Sequence, residues 1–496
     1  DQILLNSNIS ETQIYLQTYT YKDDKFEFKY PKIPFPEDSK IKKTLVFKEK
    51  NVHDFAWFTD NRWLVTTETV TIPLTQKSVD VYAYFLPENM QNWRHALNFM
   101  KKALFFYSDE VGIYPYNILT AIDGSISAGA GMEYPTITII GEAENLMQFE
   151  EVLAHEIGHN WFYGILASNE RQFPWMDEGL NSYLELKYFE KHYPNNTLGD
   201  LVGNWADWLT GDDKQKMRSY YYWTYMIQAS RRLDQPINLP ADAYTDDNYA
   251  EIVYSKSAVI FRYMQEYLGE DIMKEIIQTY FNRYKNKHVY PEDFWNVAEE
   301  VSGKKLNWMY EDLFSTKKLD YAILSAGFSE TTKDLEVLVK NKGGVNSPIF
   351  ISSFLNGNLV YTHTFDGFDG TKILNLGKIK ADEVRIDYHE YMPEINRNNN
   401  SYKIYSIFGG IRPIKFYPIT SLDNPKYHDV FISPLLGYNY HDGFKLGVVL
   451  HNAGVVEKKF RFMSTPNYGF GNKTFTGYHK AVYSFYPTDF FDKINV

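Results

Sequence analysis

The sequence predicts a multidomain α+β protein. Its parts are a β-sheet N-terminal region over residues 1–75, a mixed and then mostly helical stretch over 76–320, a small β-sandwich over 321–405 and an antiparallel β tail over 406–496. Three observations predict this. At 496 residues the chain has length for three or four domains. The apolar period changes from two to a helical step and back to two. Turns rich in Pro, Asp and Gly bound the segments of period two.

Short β-type runs such as Gln13–Thr20 and Trp63–Ile72 open the chain. A helix is expected around Asn89–Tyr107, then one edge strand over Ala130–Ile140. Leu146, Phe149, Leu153, Ile157 and Trp161 recur at three- and four-residue steps and predict a helix. A second helical run, Trp175–Phe189, is opened by Pro174. Gly203–Trp223 is rich in Trp and Tyr and reads as core more readily than as a pocket lining. Asp234–Asn248 reads as a loop leading to a helix at Tyr254, and helices continue through Asp271–Tyr284 and Pro291–Val301. Alternation returns at Leu335–Lys340, Ile349–Leu355, Leu359–Thr364 and Glu383–Tyr388, with turns such as Asn356-Gly357-Asn358 between them.

Inside the helical part stands His155-Glu156-Ile157-Gly158-His159, the pattern H-E-x-x-H, and eighteen residues then separate His159 from Glu178. Histidines four apart share one helix face and can reach one ion. Catalytic zinc keeps three protein ligands and an open position for water, so His155, His159 and Glu178 are the candidate ligands of one Zn2+ per chain. Glu156 is offset around the helix and points to general-base work on that water. Glu185 lies two turns beyond Glu178. It reads either as a carboxylate that orients a ligand histidine or as a solvated helix residue.

These residues resemble the aminopeptidase N family of gluzincin metallopeptidases. His-Glu-Ile-Gly-His-Asn-Trp-Phe is similar to the family's zinc helix, and Trp-Met-Asp-Glu-Gly-Leu-Asn-Ser-Tyr-Leu-Glu to its third-ligand helix. The resemblance covers roughly residues 45–405 and implies a thermolysin-like α/β catalytic domain over 76–320. Ala130-Gly131-Met132-Glu133-Tyr134-Pro135 resembles the family's exopeptidase motif, with Tyr134 where asparagine is usual. By that resemblance Glu133 binds the free α-amine of a peptide, and Gly131 and Met132 belong to the substrate strand. Ile252-Val253-Tyr254-Ser255-Lys256-Ser257-Ala258 resembles the family's Y-E-K-G-A segment, with Ser255 and Ser257 replacing Glu and Gly. It implies that Tyr254 donates to the oxyanion, with Tyr249 as a second tyrosine near the site. The implied activity is removal of N-terminal residues from peptides. Tyr134 keeps an endopeptidase of the same mechanism open.

Composition adds exclusions. The net charge is −12 and no long basic run is present, so nucleic-acid binding is not expected. With no cysteine, disulfides, thiolate metal sites and cysteine nucleophiles are excluded. The chain begins at Asp1, and residues 1–75 read as the later part of a larger β-domain, so a preceding segment is expected to be missing. In the tail, Phe444, Leu446, Val448 and Leu450 alternate with Lys445, Gly447 and His451. With the run from Pro434 to Phe444, this resembles the start of an outer-membrane surface-antigen-type β-barrel. Such barrels need about eight strands, so either the chain continues beyond Val496 or the tail is a soluble β-module. The barrel reading places the protein in the bacterial cell envelope, in the periplasm or at the outer membrane, with outer-membrane or partner-chain association through the tail. It also leaves a non-catalytic, peptidase-like scaffold as a rival function.

Overall fold

The computed structural model describes residues 3–4, 20–22, 25–27, 40–42, 44–73, 75–124, 126, 131–202, 215–406, 409–486 and 493–496. The expected run Gln13–Thr20, apart from Thr20, and residues 203–214 of the aromatic stretch lie outside them. Two compact units emerge, residues 1–192 with 271–303 and residues 193–270 with 304–496. Seven longer helices occur among the described residues: α1 (Ala96–Glu110), α2 (Leu146–Gly158), α3 (Glu178–His192), α4 (Ser219–Ala229), α5 (Ser257–Leu268), α6 (Glu270–Tyr284) and α7 (Pro291–Ser302).

Alternation builds the sheet of the first unit. β1 (Leu64–Ile72) and β2 (Lys77–Phe85) pair antiparallel, and Val79, Val81, Ala83 and Phe85 bury every second side chain. β3 (Ile118–Asp123) joins β2 in parallel, β5 (Ile137–Ile140) joins β3 in parallel, and β4 (Gly131–Tyr134) closes the edge antiparallel to β5. The short strand Ile3–Leu4 pairs with β1 at the other side, which makes six strands among the described residues. Helix α1 packs on β1 and β2, and α2 on β4 and β5. Between α2 and α3, β6 (Leu166–Ser168) pairs in parallel with β7 (Lys287–Val289).

Two expectations need correction here. The single strand Ala130–Ile140 is a hairpin. Pro135, which has no N–H for a ladder, and Thr136 at φ +70° make its turn, and Ala130 lies outside the described residues. The helix expected over Asn89–Tyr107 is interrupted at Arg94-His95, leaving Met90–Trp93 before the break and α1 running on to Glu110.

In the second unit, α4 buries Tyr221, Tyr222, Tyr225 and Met226; of the described end of the aromatic stretch, Tyr221 and Tyr222 are core while Tyr220 and Trp223 are half-buried. A π-helical turn, Tyr249–Lys256, leads into α5. Next comes a sandwich of two sheets. One holds β8 (Tyr321–Phe328), β9 (Leu335–Asn341) and β12 (Thr371–Asn375). The other holds β10 (Ile349–Leu355), β11 (Asn358–Phe365), β13 (Glu383–Ile386) and β14 (Ser401–Lys403). Asn356 at φ +52° and Gly357 at φ +79° form the two-residue turn between β10 and β11, the positive-φ pair that a tight hairpin needs. The strand expected over Glu383–Tyr388 stops at Ile386, because Asp387 turns to φ +49°.

Among the described residues the tail is an eight-stranded sheet: β15 (Ile414–Pro418), β16 (His428–Asn439), β17 (Gly443–His451), β18 (Phe460–Ser464), β19 (Asn467–Gly469), β20 (Thr474–Thr476), β21 (His479–Phe485) and β22 (Ile494–Asn495). Its order is β15-β16-β17-β18-β21-β22, with β19 on β17 and β20 on β19. Pairing is antiparallel except between β15 and β16, which run parallel. Leu436 stands opposite Leu446, and Tyr438 opposite Phe444. This apolar face is the open one, with Leu436 66 % and Leu446 49 % exposed. No helix among the described residues is long and apolar enough to cross a membrane.

The close meeting of α2 with its neighbours makes a test. A Cβ on Gly158, at the end of α2, would lie 2.0 Å from Asn181 Oδ1 and 2.4 Å from the Tyr107 hydroxyl. Gly158→Ala is expected to lower unfolding free energy by about 1–3 kcal/mol in a denaturant titration, whereas a helix-propensity gain alone would raise it.

Candidate active site

Helix α2 begins where Asn145 accepts hydrogen bonds from the amides of Met147 and Gln148, an N-cap that sets its first turn. Phe149, Leu153 and Ile157 bury one side of it. His155 and Glu156 lie in the last turn, and His159 is the residue just past the end of the helix. Pro174 opens a 3-10 turn instead of a long helix, so Glu178 falls at the first position of α3.

The three expected ligands converge. His155 Nε2 lies 3.1 Å from Glu178 Oε2 and 3.1 Å from His159 Nε2, and His159 Nε2 lies 3.2 Å from Glu178 Oε2. A tetrahedral ion with ligands about 2.0–2.1 Å away has edges of about 3.3 Å, so this triangle fits zinc in size as well as in donor type. Each histidine has its other nitrogen occupied. His155 Nδ1 meets Glu185 Oε2 at 2.6 Å, and His159 Nδ1 donates to the Phe162 carbonyl at 3.2 Å. Both Nε2 atoms are thereby left to face an ion. Glu185 is buried, so it is not a solvated helix residue.

Glu156 is buried, and its Oε2 has no partner among the described residues. Glu133, Glu156 and His159 form a second close group of donor atoms within 4.8 Å of one another. Glu133 reaches it from edge strand β4, and Gly131 lies on the same side of that strand, two residues earlier. A Cβ on Gly131 would sit 2.2 Å from Glu156 Oε1, so the backbone approaches the carboxylate as only glycine permits. Met132 uses its carbonyl to accept from the Thr138 hydroxyl, across the hairpin.

The charges respond to this crowding. Burial raises the Glu156 carboxyl to about 8, with Glu133 and Glu178 adding to the rise against the two histidines. Burial works against the charged form of His159, but Glu133 and Glu178 outweigh it and lift the imidazole to about 10. Burial likewise opposes His155, and its bonds to Glu178 and Glu185 hold it well above its ordinary value. Glu178 is held well below the usual carboxylate range by the two histidines, despite burial. A buried set that keeps positive charge this firmly is one where a metal cation can take the protons' place.

Three supports were not legible as site residues. Asn181, three after Glu178, donates to the His155 carbonyl at 2.8 Å and accepts from Tyr107 at 3.0 Å. Asn160 accepts from the Thr136 amide at 2.8 Å, tying the ligand segment to the β4–β5 turn. Tyr163 sits at φ +94°, a conformation rare for a side chain of that size. Its carbonyl accepts from His53 Nε2 at 2.9 Å, and its hydroxyl donates to Asp54 at 2.5 Å. The available signal was small: each lies within four residues in sequence of an expected ligand.

Tyr249 and Tyr254 belong to the second unit. They lie on the π-helical turn with their rings 6.0 Å apart, edge to face.

Residues 95–313 match the family model described as the Peptidase family M1 domain. The probable aminopeptidase 2 of Sulfurisphaera tokodaii is 23 % identical over 281 residues, 54 % of this chain and 34 % of that protein. The mitochondrial aminopeptidase 2 of Saccharomyces cerevisiae is 25 % identical over 265 residues, 50 % of this chain and 26 % of that one. The crystal structure of Legionella pneumophila aminopeptidase A in complex with aspartic acid superposes with a TM-score of 0.50 at 16 % identity, over 67 % of this chain and 38 % of that one. That likeness is one of fold. These matches support the aminopeptidase N resemblance, and the matched region spans about a third or less of each of the two curated relatives.

Glu185→Gln is expected to weaken zinc binding by about 10–100-fold, read by competition with a chromogenic chelator. An unchanged affinity would remove Glu185 from the ligand-orienting role.

Proposed function

We propose that this protein is a zinc-dependent aminopeptidase. The observation that carries the reading is the convergence of His155 Nε2, His159 Nε2 and Glu178 Oε2, with Glu133 and Glu156 grouped on the same histidine. A zinc ion held by those three residues supplies Lewis acidity and lowers the pKa of its water to about 7. Glu156, buried and with one oxygen lacking a hydrogen-bond partner among the described residues, takes the proton of the attacking water and hands it to the leaving amine. Glu133 pairs with the α-ammonium of the peptide and so measures the distance from the first residue to the ion. The peptide adds to the outer edge of β4, alongside Gly131 and Met132, where main-chain hydrogen bonds set its register. Tyr254 donates its hydroxyl to the developing oxyanion, with Tyr249 beside it.

Glu156→Gln is expected to keep zinc and lose about 10²–10⁴-fold in turnover of aminoacyl p-nitroanilides. Hydrolysis at the wild-type rate would sink the general-base assignment. N-acetylation of the substrate is expected to abolish cleavage. Chelator-sensitive cleavage of the blocked substrate would keep the zinc chemistry and make the protein an endopeptidase. A zinc-loaded protein that cleaves neither would be a scaffold.

The tail supports a second part of the proposal, a place in the bacterial cell envelope at the outer membrane. Its support is the open apolar face of β16 and β17, where Leu436, Tyr438, Phe444 and Leu446 project together while Lys445 and Gly447 lie on the opposite face. Flotation with phospholipid vesicles is expected to carry the protein up the gradient, and Leu436→Asp with Leu446→Asp to leave it at the bottom. Wild-type protein that stays at the bottom would remove the lipid reading.

A further inference from the structure

At the π-helical turn that carries Tyr254 the second unit buries three charged side chains that the proposed chemistry does not use. Lys256 is two residues after Tyr254 on the π-helical turn, and residues two apart on a helix do not share a face. The turn therefore sends Ile252, Val253 and Lys256 inward, all at most 1 % exposed, while Tyr254 stays partly open. Lys256 Nζ donates to the Ser315 carbonyl at 2.6 Å and lies 3.9 Å from Asp234 Oδ2. Asp234 is in turn gripped by Lys318 through both of its oxygens. The Tyr225 ring lies 5.7 Å from the Lys256 ammonium. The neighbouring loop is fastened to the same turn: Asn248, just before it, donates to the Leu233 carbonyl at 3.0 Å and accepts from the Gln235 amide at 3.3 Å. Two ammonium groups on one buried carboxylate are costly to bury, and burial pushes Lys256 down to about 7. A π turn is itself a less favourable stretch of helix that recurs at functional sites.

We infer that Lys256, held by the Ser315 carbonyl and Asp234, is a positioning residue that clamps the π-helical turn and so aims the Tyr254 hydroxyl. The inference rests on the oxyanion role proposed for Tyr254. A lysine supplies what the place needs: a long apolar stem through the core, and a donor at its tip that reaches a carbonyl and a carboxylate together.

The test is a double-mutant cycle on the full chain loaded with zinc, with metal content and unfolding midpoint checked for each variant. Lys256→Met is expected to lower kcat by about 10–100-fold at nearly unchanged KM, the signature of a misplaced transition-state group. The Tyr254→Phe and Lys256→Met double variant is expected to be no slower than Tyr254→Phe alone. If Lys256→Met fails to fold, Asp234→Asn is read in the same cycle. Independent, multiplying losses would overturn the inference, as would wild-type kcat for Lys256→Met while Tyr254→Phe is slow. Wild-type kcat for Tyr254→Phe would overturn the oxyanion role itself, and the inference with it.

Discussion

Crowding of buried carboxylates around two imidazoles is the constraint on which the first unit depends. Glu133, Glu156, Glu178 and Glu185 are all buried, and each meets or closely approaches His155 or His159. Burying that much negative charge is costly unless cations and hydrogen bonds answer it. The surroundings answer it in layers. The histidines turn their Nε2 atoms to Glu178, Glu185 and a backbone carbonyl hold their other nitrogens, and Asn181 and Asn160 hold the backbone that carries them. The sheet, α2 and α3 are the frame that this arrangement requires.

Local spacing made much of this legible. His155 and His159 could be paired because i, i+4 on a helix is a geometric statement, whereas Glu178 was signalled by its spacing downstream of the motif, and the fold brings its Oε2 to the same point. The inward side of α2, the Asn356-Gly357 hairpin and the strand runs of the sandwich were also readable, since each is set by neighbours in sequence. Less legible was whatever depends on a single backbone angle or on distant partners. The β4–β5 hairpin hid inside an apolar run because Thr136 takes a positive φ that its side chain does not advertise. The π turn under Tyr254 differs from an α-helix by one hydrogen-bond step, which residue periodicity does not report. Asn160 and Asn181 act across tertiary contacts that their nearness in sequence to His159 and Glu178 does not reveal.

The tail shows a different kind of limit. Alternation placed Phe444, Leu446 and Val448 on one face of a strand, and they lie together there. Periodicity says which side chains share a face, but not whether that face meets core, lipid or water. Compared with β2, which buries Val79, Val81, Ala83 and Phe85, an open face with Leu436 66 % exposed reverses the usual meaning of the pattern.

Tyr163 carries a consequence for how the segment around His53 has to behave. A bulky residue at φ +94° stores about 1–3 kcal/mol of backbone strain and persists only when its surroundings hold it there. The holders are His53, through the Tyr163 carbonyl and an edge-on ring contact at 4.8 Å, and Asp54, through the hydroxyl. That segment is therefore a spring clip for the ligand segment, since Tyr163 is only four residues past His159. Shortening the chain past Asp54 would release the clip and let the turn relax toward negative φ. The shape of the histidine-bearing end of α2 thus depends on residues about a hundred positions upstream.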